Sequence, residues 1–475
     1  DPVGMCRMCL VEVETPRGKA LVPSCTTEIT EDLVVDTESE IVTKAQEGIL
    51  EFLLINHPLD CPVCDKAGEC PLQDQTMAYG PGESRFVEEK RHFEKPIPIS
   101  EVILLDRERC ILCARCTRFS DEISGDPLIE FIQRGNKTEV NTFPNEPFRS
   151  YFSGNTVQIC PVGALTSTSY RFKARPWDLK KVSSTCNCCS VGCSIELNTS
   201  QNKMLRILGE DNEFTNQGWL SDKGRYNFDF LHSENRVLNI LNKSEDSFNE
   251  ISIAEATVKI KDKINELDNP NIKFLIGSHS TNEEYFVINE VANYLNKDKF
   301  LSRDSSNVYF SDDLLFNGYF DDEYSKAKLE DLDSSETIVV WCEDIKDNLP
   351  ILYLRIKKAV KNGAKLIVFG HTNTAIAGLA DFYFGKDIVS NKFDLIVNPS
   401  EIEDLKNNTQ GKKVTVIAGK STVFQKKESL DKLINYLNES SELKVFNSFS
   451  KGNTFGALQN IDEVKGLNEF CNEFD

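Results

Sequence analysis

No run of apolar residues in this sequence approaches the roughly 20 that a membrane helix needs. FLLI (52–55) and TIVVWC (337–342) each stop within a few residues. Basic charge is scarce: 54 Lys and Arg stand against 75 Asp and Glu, a formal net charge of −21. That balance opposes binding to phosphate backbones, and no basic, aromatic-interleaved stripe reverses it locally, so nucleic acid is not an expected partner. Internal repeats and low-complexity tracts are lacking, and no signal peptide opens the chain at Asp1. Cysteine is nearly missing from the second half. Of 16 cysteines, only Cys342 and Cys471 lie beyond residue 193.

The other 14 need an explanation. A chain of 475 residues builds hydrophobic cores without cross-links. Disulfide frameworks belong to small secreted domains, and here the cysteines come in close CxxC groups. Ligation is the better reading.

Along the chain, LVEVE and ALVP before about Asp36 read as short strands. The opening at Asp1, two residues before Val3-Gly4-Met5-Cys6 and without an initiator Met, reads as a missing N-terminal portion. Residues 39–56 carry Ile49, Leu50, Leu53 and Leu54 at helical spacing, predicting an amphipathic helix that delivers His57 to a loop. Residues 57–82 and 106–165 are rich in Cys, Pro and Gly with little periodicity, suiting loops wrapped around an inorganic centre. After about residue 235, IKFLIG, TIVVWC, KLIVFG and KVTVIAG read as buried strands. PILYLRIKKAVKNG lies between the second and third, with Pro350 at a helix start and Gly363 at its C-terminal cap. Alternating strands and helices predict an α/β domain with a mostly parallel sheet.

Four cysteine groups carry the chemistry. The most specific is His57-x3-Cys61-x2-Cys64-x5-Cys70, in HPLDCPVCDKAGECPLQD. Pro62 and Pro71 stiffen this loop and Gly68 permits a tight turn, so four ligands can wrap one metal centre. Ligand type alone favours zinc, but the neighbouring groups point elsewhere. Cys110-x2-Cys113-x2-Cys116, joined at a distance by Cys160 in QICPVGAL, has the spacing for a cubane [4Fe-4S] cluster. Two-cluster ferredoxins place a further Cys-Pro after such a triplet, where this chain has Ser120, so one cluster is expected here. Cys6-x2-Cys9 with Cys25 matches a plant-type [2Fe-2S] loop whose remaining ligand would fall at position 1, which is Asp1. The fourth group, Cys186-x2-Cys189-x3-Cys193 with Cys188 alongside, resembles the cluster-binding entry segment of molybdopterin oxidoreductases. Its distal cysteine is replaced by Ser221.

The order of these groups, in VGMCRMCLVEVE, LINHPLDCPVCDKAGECPLQDQ, YGPGESRF and DRERCILCARCTRFSDEISG, resembles the large iron-sulfur subunit of respiratory complex I (NADH:quinone oxidoreductase). The likeness is close over residues 1–230 and general beyond. It implies a multidomain α+β and α/β fold. A partial ferredoxin-like [2Fe-2S] domain would span 1–40, a one-histidine, three-cysteine [4Fe-4S] domain 41–100, and a [4Fe-4S] ferredoxin-like domain 101–180. A molybdopterin-oxidoreductase-type segment would span 181–235 and an α/β scaffold 236–475, the last short for the family.

The resemblance also implies a [2Fe-2S] cluster on Cys6, Cys9, Cys25 and one cysteine upstream of Asp1. It implies one [4Fe-4S] cluster on His57, Cys61, Cys64 and Cys70, and a second on Cys110, Cys113, Cys116 and Cys160. A third [4Fe-4S] cluster, which some bacterial members hold, would use Cys186, Cys189, Cys193 and position 221. With Ser221 there, that cluster is lost, uses Cys188, or keeps a serine ligand, and loss or lability is the expectation. The implied work is electron relay from a flavin-bearing, NADH-oxidising subunit to quinone-reducing iron-sulfur subunits, with no catalytic residue here. The implied place is peripheral, on the cytoplasmic face of a bacterial inner membrane or the matrix side in a mitochondrion. Alternatives are a soluble NAD-linked formate dehydrogenase or hydrogenase subunit and a zinc-stabilised assembly module.

Two features are expected to carry no function. GKST (419–422) resembles a Walker A loop, but the first glycine of that motif would fall at Val414, so it reads as a strand-to-helix turn. Cys342 reads as a buried strand residue, and Cys471 has no partner in the pattern.

Overall fold

A computed structural model of the chain describes residues 2–144, 146–244, 247–266, 272, 274–277, 279–298, 308–310, 326–341, 344–370, 374–384, 399–419, 427–448, 452–453 and 456. Asp1, Cys342, Cys471 and residues 420–422 of GKST lie outside them. The chain forms two compact units. The first comprises Asp1–Ser184, Ile195–Glu210 and Trp219–Tyr226, the second Thr185–Ser194, Asp211–Gly218 and Asn227–Asp475.

Unit 1 opens with strands β1 (Leu10–Thr15) and β2 (Gly18–Pro23), paired antiparallel across the two-residue connection Pro16-Arg17, with β3 (Val35–Asp36) on the other side of β1. Helix α1 (Glu40–Ile55) follows. Ser39 caps it by accepting from the Val42 N–H at 3.3 Å, and Val42 and Leu50 are buried. His57 begins the next loop, its N–H donating to the Leu54 carbonyl at 3.1 Å. Helix α2 (Pro71–Tyr79) starts on Pro71, whose missing N–H costs nothing in a first turn. Next come β4 (Ile97–Pro98), β5 (Ile103–Leu105), helix α3 (Arg115–Arg118), the hairpin β6 (Ile129–Ile132) and β7 (Glu139–Thr142), helix α4 (Gly154–Ile159) and β8 (Leu165–Ser167). β5 is the centre of an antiparallel β4-β5-β8 sheet. Residues 106–165 are therefore more ordered than a loop reading allowed. Elements of three to six residues are too short to display a period.

The unit 1 core joins Leu50, Leu72, Ile103, Leu105, Phe148 and Leu165, and two candidate ligands, Cys70 and Cys160, pack into it. Strands β9 (Lys180–Thr185), β10 (Ser194–Ser200) and β11 (Lys203–Gly209) form a sheet of order β11-β10-β9, followed by helix α5 (Asp222–Tyr226).

Unit 2 carries a hairpin, β12 (Ile240–Ser244) and β13 (Ser247–Ile251), then α6 (Ile253–Glu266), β14 (Phe274–Ile276), α7 (Asn282–Asp298) and β15 (Val308–Phe310), with β14 and β15 parallel. Then follow α8 (Asp331–Ser334), β16 (Thr337–Trp341), α9 (Ile345–Asn348), α10 (Pro350–Lys361), β17 (Lys365–Phe369), β18 (Phe382–Phe384), α11 (Pro399–Thr409), β19 (Lys413–Gly419), α12 (Lys427–Ser440) and β20 (Glu442–Ser448). Five of these strands form one wholly parallel sheet, ordered β18-β17-β16-β19-β20. Every residue of β16 is buried, as expected for a parallel strand covered on both faces. Pro350 opens α10, Asn362 caps it, and Gly363 follows with φ +106°.

Candidate metal centres

The His57 loop carries a neutral histidine, two buried thiols and one exposed thiol. Burial, and after it the charge of Arg109, holds the His57 imidazole down to about 4, so it is uncharged near neutral pH. Its Nδ1 is buried without a hydrogen-bond partner. An orphaned, buried imidazole nitrogen on the loop that also carries three thiols suits a metal ligand better than a helix cap. Cys64 and Cys70 are buried and Cys61 is exposed. Burial raises both buried thiols, while backbone N–H groups of Lys66 at Cys64, and of Gln73 and Leu72 at Cys70, pull the other way. Those N–H groups are positioned to stabilise thiolates once metal displaces the protons. Gly68 turns at φ +90°, and a β-carbon there would come within 2.6 Å of the Trp177 ring.

In the second set, Cys110, Cys113, Cys116 and Cys160 line one cavity, otherwise walled by apolar groups including Leu105, Val140 and Leu165. Its empty space, counted out to the mouth, is about 370 Å³. Leu112 and Ala114 take left-handed backbone, φ 53° and 64°. These turns are uncommon for residues with a β-carbon, and they curl the CxxCxxC segment around the cavity. The Leu112 N–H donates to the Cys110 sulfur at 3.4 Å. Burial pushes the Cys110 thiol up to about 12, raises Cys113, and carries Cys116 well above its ordinary value, with the neighbouring cysteines adding to each shift. Burial thus keeps Cys110, Cys113 and Cys116 protonated until a bound metal displaces their protons. Ser120 lies fully buried, its hydroxyl donating to the Asp126 carbonyl and accepting from the Leu128 N–H at 3.3 Å.

The two sets meet. The Cys70 thiol donates to the Pro161 carbonyl at 3.5 Å, and a β-carbon on Gly163 would lie 2.1 Å from the Cys64 sulfur. Residues 160–163 thus contribute Cys160 to one set and pack against two cysteines of the other.

Cys9 and Cys25 hydrogen-bond to each other. Against the effect of burial, the backbone N–H and thiol of Cys25 and the Ser24 side chain lower the Cys9 thiol, while Cys9 raises Cys25. Arg7, between Cys6 and Cys9, is left-handed at φ 61°. Cys6 also adds electrostatically to the raised Cys113 thiol, linking the Cys6 set to the Cys110 set.

The fourth group belongs to unit 2. The Cys186 N–H donates to the Cys193 carbonyl at 2.8 Å, and contact with Cys188, followed by burial, raises the Cys186 thiol. The Asn227 amide reaches Cys188 at 4.0 Å. Ser221 belongs to unit 1, where its buried hydroxyl accepts from the Gly224 N–H at 3.3 Å in the first turn of α5. Among the described residues, no three His, Cys, Asp and Glu side chains converge as a site for a single metal ion.

Three contributors escaped the sequence reading. Gly163 gave only a CPVGAL string, and Arg109 was visible only as a charge preceding Cys110. Arg175, 111 and 113 residues from its two partners in the His57 loop, gave no signal at all.

Family models match in one unbroken order. The 2Fe-2S iron-sulfur cluster binding domain covers residues 1–40, the NADH-ubiquinone oxidoreductase-G iron-sulfur binding region 46–85, and the ferredoxin-like domain of NADH-quinone oxidoreductase subunit 3 residues 100–166. The molybdopterin oxidoreductase Fe4S4 domain covers 179–233 and the molybdopterin oxidoreductase domain 232–453. The NADH-quinone oxidoreductase subunit of Mycobacterium tuberculosis that carries the letter G is 59% identical over 232 residues, 48% of this chain and 28% of that protein. Subunit 3 of the Thermus thermophilus enzyme is 34% identical over 396 residues, 76% of this chain and 48% of its own length. The NADH-ubiquinone oxidoreductase 75 kDa subunit of Reclinomonas americana is 36% identical over 368 residues, 76% and 53%. These matches span from about a quarter to about half the length of the curated relatives. A solved NAD+-reducing [NiFe]-hydrogenase is 27% identical, covering 36% of this chain and 73% of its own, with a TM-score of 0.31, too slight a likeness to bear on fold or function. With iron-sulfur domains followed by a molybdopterin-oxidoreductase domain, and with relatives of that name along three quarters of its length, the chain belongs to the family of the large, 75 kDa-type iron-sulfur subunit of NADH-quinone oxidoreductase.

Proposed function

We propose that this chain is the iron-sulfur electron-relay subunit of an NADH:quinone oxidoreductase. In this reading Cys6, Cys9 and Cys25 hold a [2Fe-2S] cluster. His57, Cys61, Cys64 and Cys70 hold one [4Fe-4S] cluster, and Cys110, Cys113, Cys116 and Cys160 hold another. The observation that carries it is the adjacency of the last two sets, one segment serving Cys160 to one and packing Pro161 and Gly163 on Cys70 and Cys64 of the other.

When bound, such clusters take up and release single electrons without breaking a bond. The residues of the chain supply ligands, exclude water and tune the environment. Apolar packing around Cys70 and Cys160 lowers the local dielectric, and backbone N–H groups aimed at sulfur favour the charged ligand. A neutral His57 in place of a thiolate removes one negative charge from its ligand set, which favours reduction relative to four thiolates.

The electron donor is a flavin-bearing, NADH-oxidising partner and the acceptors are quinone-side iron-sulfur partners. No helix among the described residues is long and apolar enough to cross a membrane. Membrane association on the cytoplasmic face, or the matrix side in a mitochondrion, would therefore run through the assembled complex, with unit 2 as docking scaffold. A formate dehydrogenase or hydrogenase subunit is disfavoured because Ser120, at the place of the next ferredoxin cysteine, is buried and committed to Asp126 and Leu128.

The test is iron and sulfide content with low-temperature EPR of the reduced full-length protein after anaerobic reconstitution. One [2Fe-2S] and two [4Fe-4S] signals support the relay. A colourless, zinc-loaded protein overturns it.

A further inference from the structure

The backbone that carries Cys61 and Cys64 is held from outside by two arginines distant in sequence. Arg175 donates from one guanidinium nitrogen to the Cys64 carbonyl at 2.6 Å and from the other to the Pro62 carbonyl. Arg109 donates to the Val63 carbonyl at 3.4 Å and grips Asp60 through Nε and Nη2, at 3.1 and 3.0 Å. Three consecutive carbonyls, Pro62, Val63 and Cys64, are thus all turned toward guanidinium groups. Satisfying carbonyls on the outer side leaves N–H groups free to face sulfur, as the Lys66 N–H does at Cys64.

The charges of this collar are permanent, since a guanidinium does not deprotonate in proteins. Arg109 is 6% exposed and is flanked by Asp60 and by Asp106 at 3.1 Å, while Lys95 reaches Asp60 at 2.8 Å. Arg175 is half-buried, and its two carbonyl contacts belong to the loop itself. Removing either positive charge leaves its surroundings more negative at a point where an added electron must be accommodated.

We propose that Arg109 and Arg175 are positioning residues that hold the Asp60–Cys64 loop ready for its cluster and set that cluster's potential upward through their fixed charge. The inference rests on the assignment of a [4Fe-4S] cluster to His57, Cys61, Cys64 and Cys70. It predicts two separable effects. Occupancy depends on the forked geometry, because one ammonium cannot bridge the Pro62 and Cys64 carbonyls as a guanidinium does. Potential depends on charge, which lysine retains.

The experiment uses the full-length protein, reconstituted anaerobically with iron and sulfide, comparing wild type with Arg175→Gln, Arg175→Lys, Arg109→Gln and Arg109→Lys. EPR counts each cluster, and a redox titration follows each signal. Both glutamine variants are expected to shift reduction of the His57-set cluster about tenfold toward the oxidised form, about 59 mV for one electron. Both lysine variants should hold the potential near wild type but fill the site less completely. The [2Fe-2S] signal reports whether the fold survives. Unchanged potential and occupancy in the four variants overturns the proposal, as does an equal loss of all clusters, which would mean general loosening. Wild type with no cluster on the His57 set strikes the relay reading itself and takes this inference with it.

Discussion

A β-carbon added to Gly163 would lie 2.1 Å from the sulfur of Cys64, closer than nonbonded atoms approach. Cys64 is a buried ligand candidate, and Gly163 stands three residues past a ligand candidate of the adjacent set. Gly163→Ala should therefore displace Cys64 rather than cause a simple packing loss. The expected outcome is a weakened or missing EPR signal from the His57-set cluster, with overpacking costing about 1–3 kcal/mol in thermal or denaturant unfolding. A variant with full cluster content would mean that the sulfur turns aside freely, and the tight approach would carry no consequence.

Removing one ligand from either adjacent set should break the relay. Cys64→Ala and Cys113→Ala are each expected to abolish NADH-to-quinone electron flow in membranes containing the assembled complex, while the complex still forms. Assembly is checked by native gel and flow by quinone-dependent NADH oxidation. Retained flow in an assembled complex would refute the assignment of these residues to the relay.

The ligand types and the main elements were legible because each leaves a local mark. α1 shows its apolar residues at helical spacing, β16 and β17 are continuous apolar runs, and CxxCxxC puts three thiols on one short segment. What stayed hidden is what the fold brings together from afar. Arg175 and the Pro62–Cys64 carbonyls share no periodicity, and the Cys70 contact with Pro161 crosses 91 residues. Backbone carbonyls as partners leave no residue-type signature at all. Left-handed Leu112 and Ala114 were equally illegible, since sequence marks that conformation reliably only through glycine or asparagine.

In unit 2, Arg355 is 2% exposed and donates to the Glu213 carbonyl at 2.7 Å, to Asp333 at 2.8 Å and to the Leu329 carbonyl at 3.2 Å. Arg355→Ala leaves two carbonyls and a carboxylate without this partner beside the parallel sheet. A loss of about 1–3 kcal/mol is expected, from the buried carbonyls rather than from Asp333, which is 40% exposed and hydrated, read as an earlier unfolding transition. Signals from the three cluster sets of unit 1 should be unaffected below that transition. A stability change under about 1 kcal/mol would mean that water replaces the guanidinium without cost.

Ser221 gives the sharpest test of the fourth cysteine group. In the sequence pattern it occupies the place of the distal ligand, yet its hydroxyl is already engaged with the Gly224 N–H at the start of α5. A neutral hydroxyl is also a poorer iron ligand than a thiolate. Wild type is therefore expected to give two [4Fe-4S] signals. If wild type instead carries a third [4Fe-4S] signal, the expected loss of that cluster is wrong, and Cys188→Ala identifies the fourth ligand. Disappearance of the signal would assign it to Cys188, the thiol already in contact with Cys186, whereas persistence would leave the serine oxygen in that role.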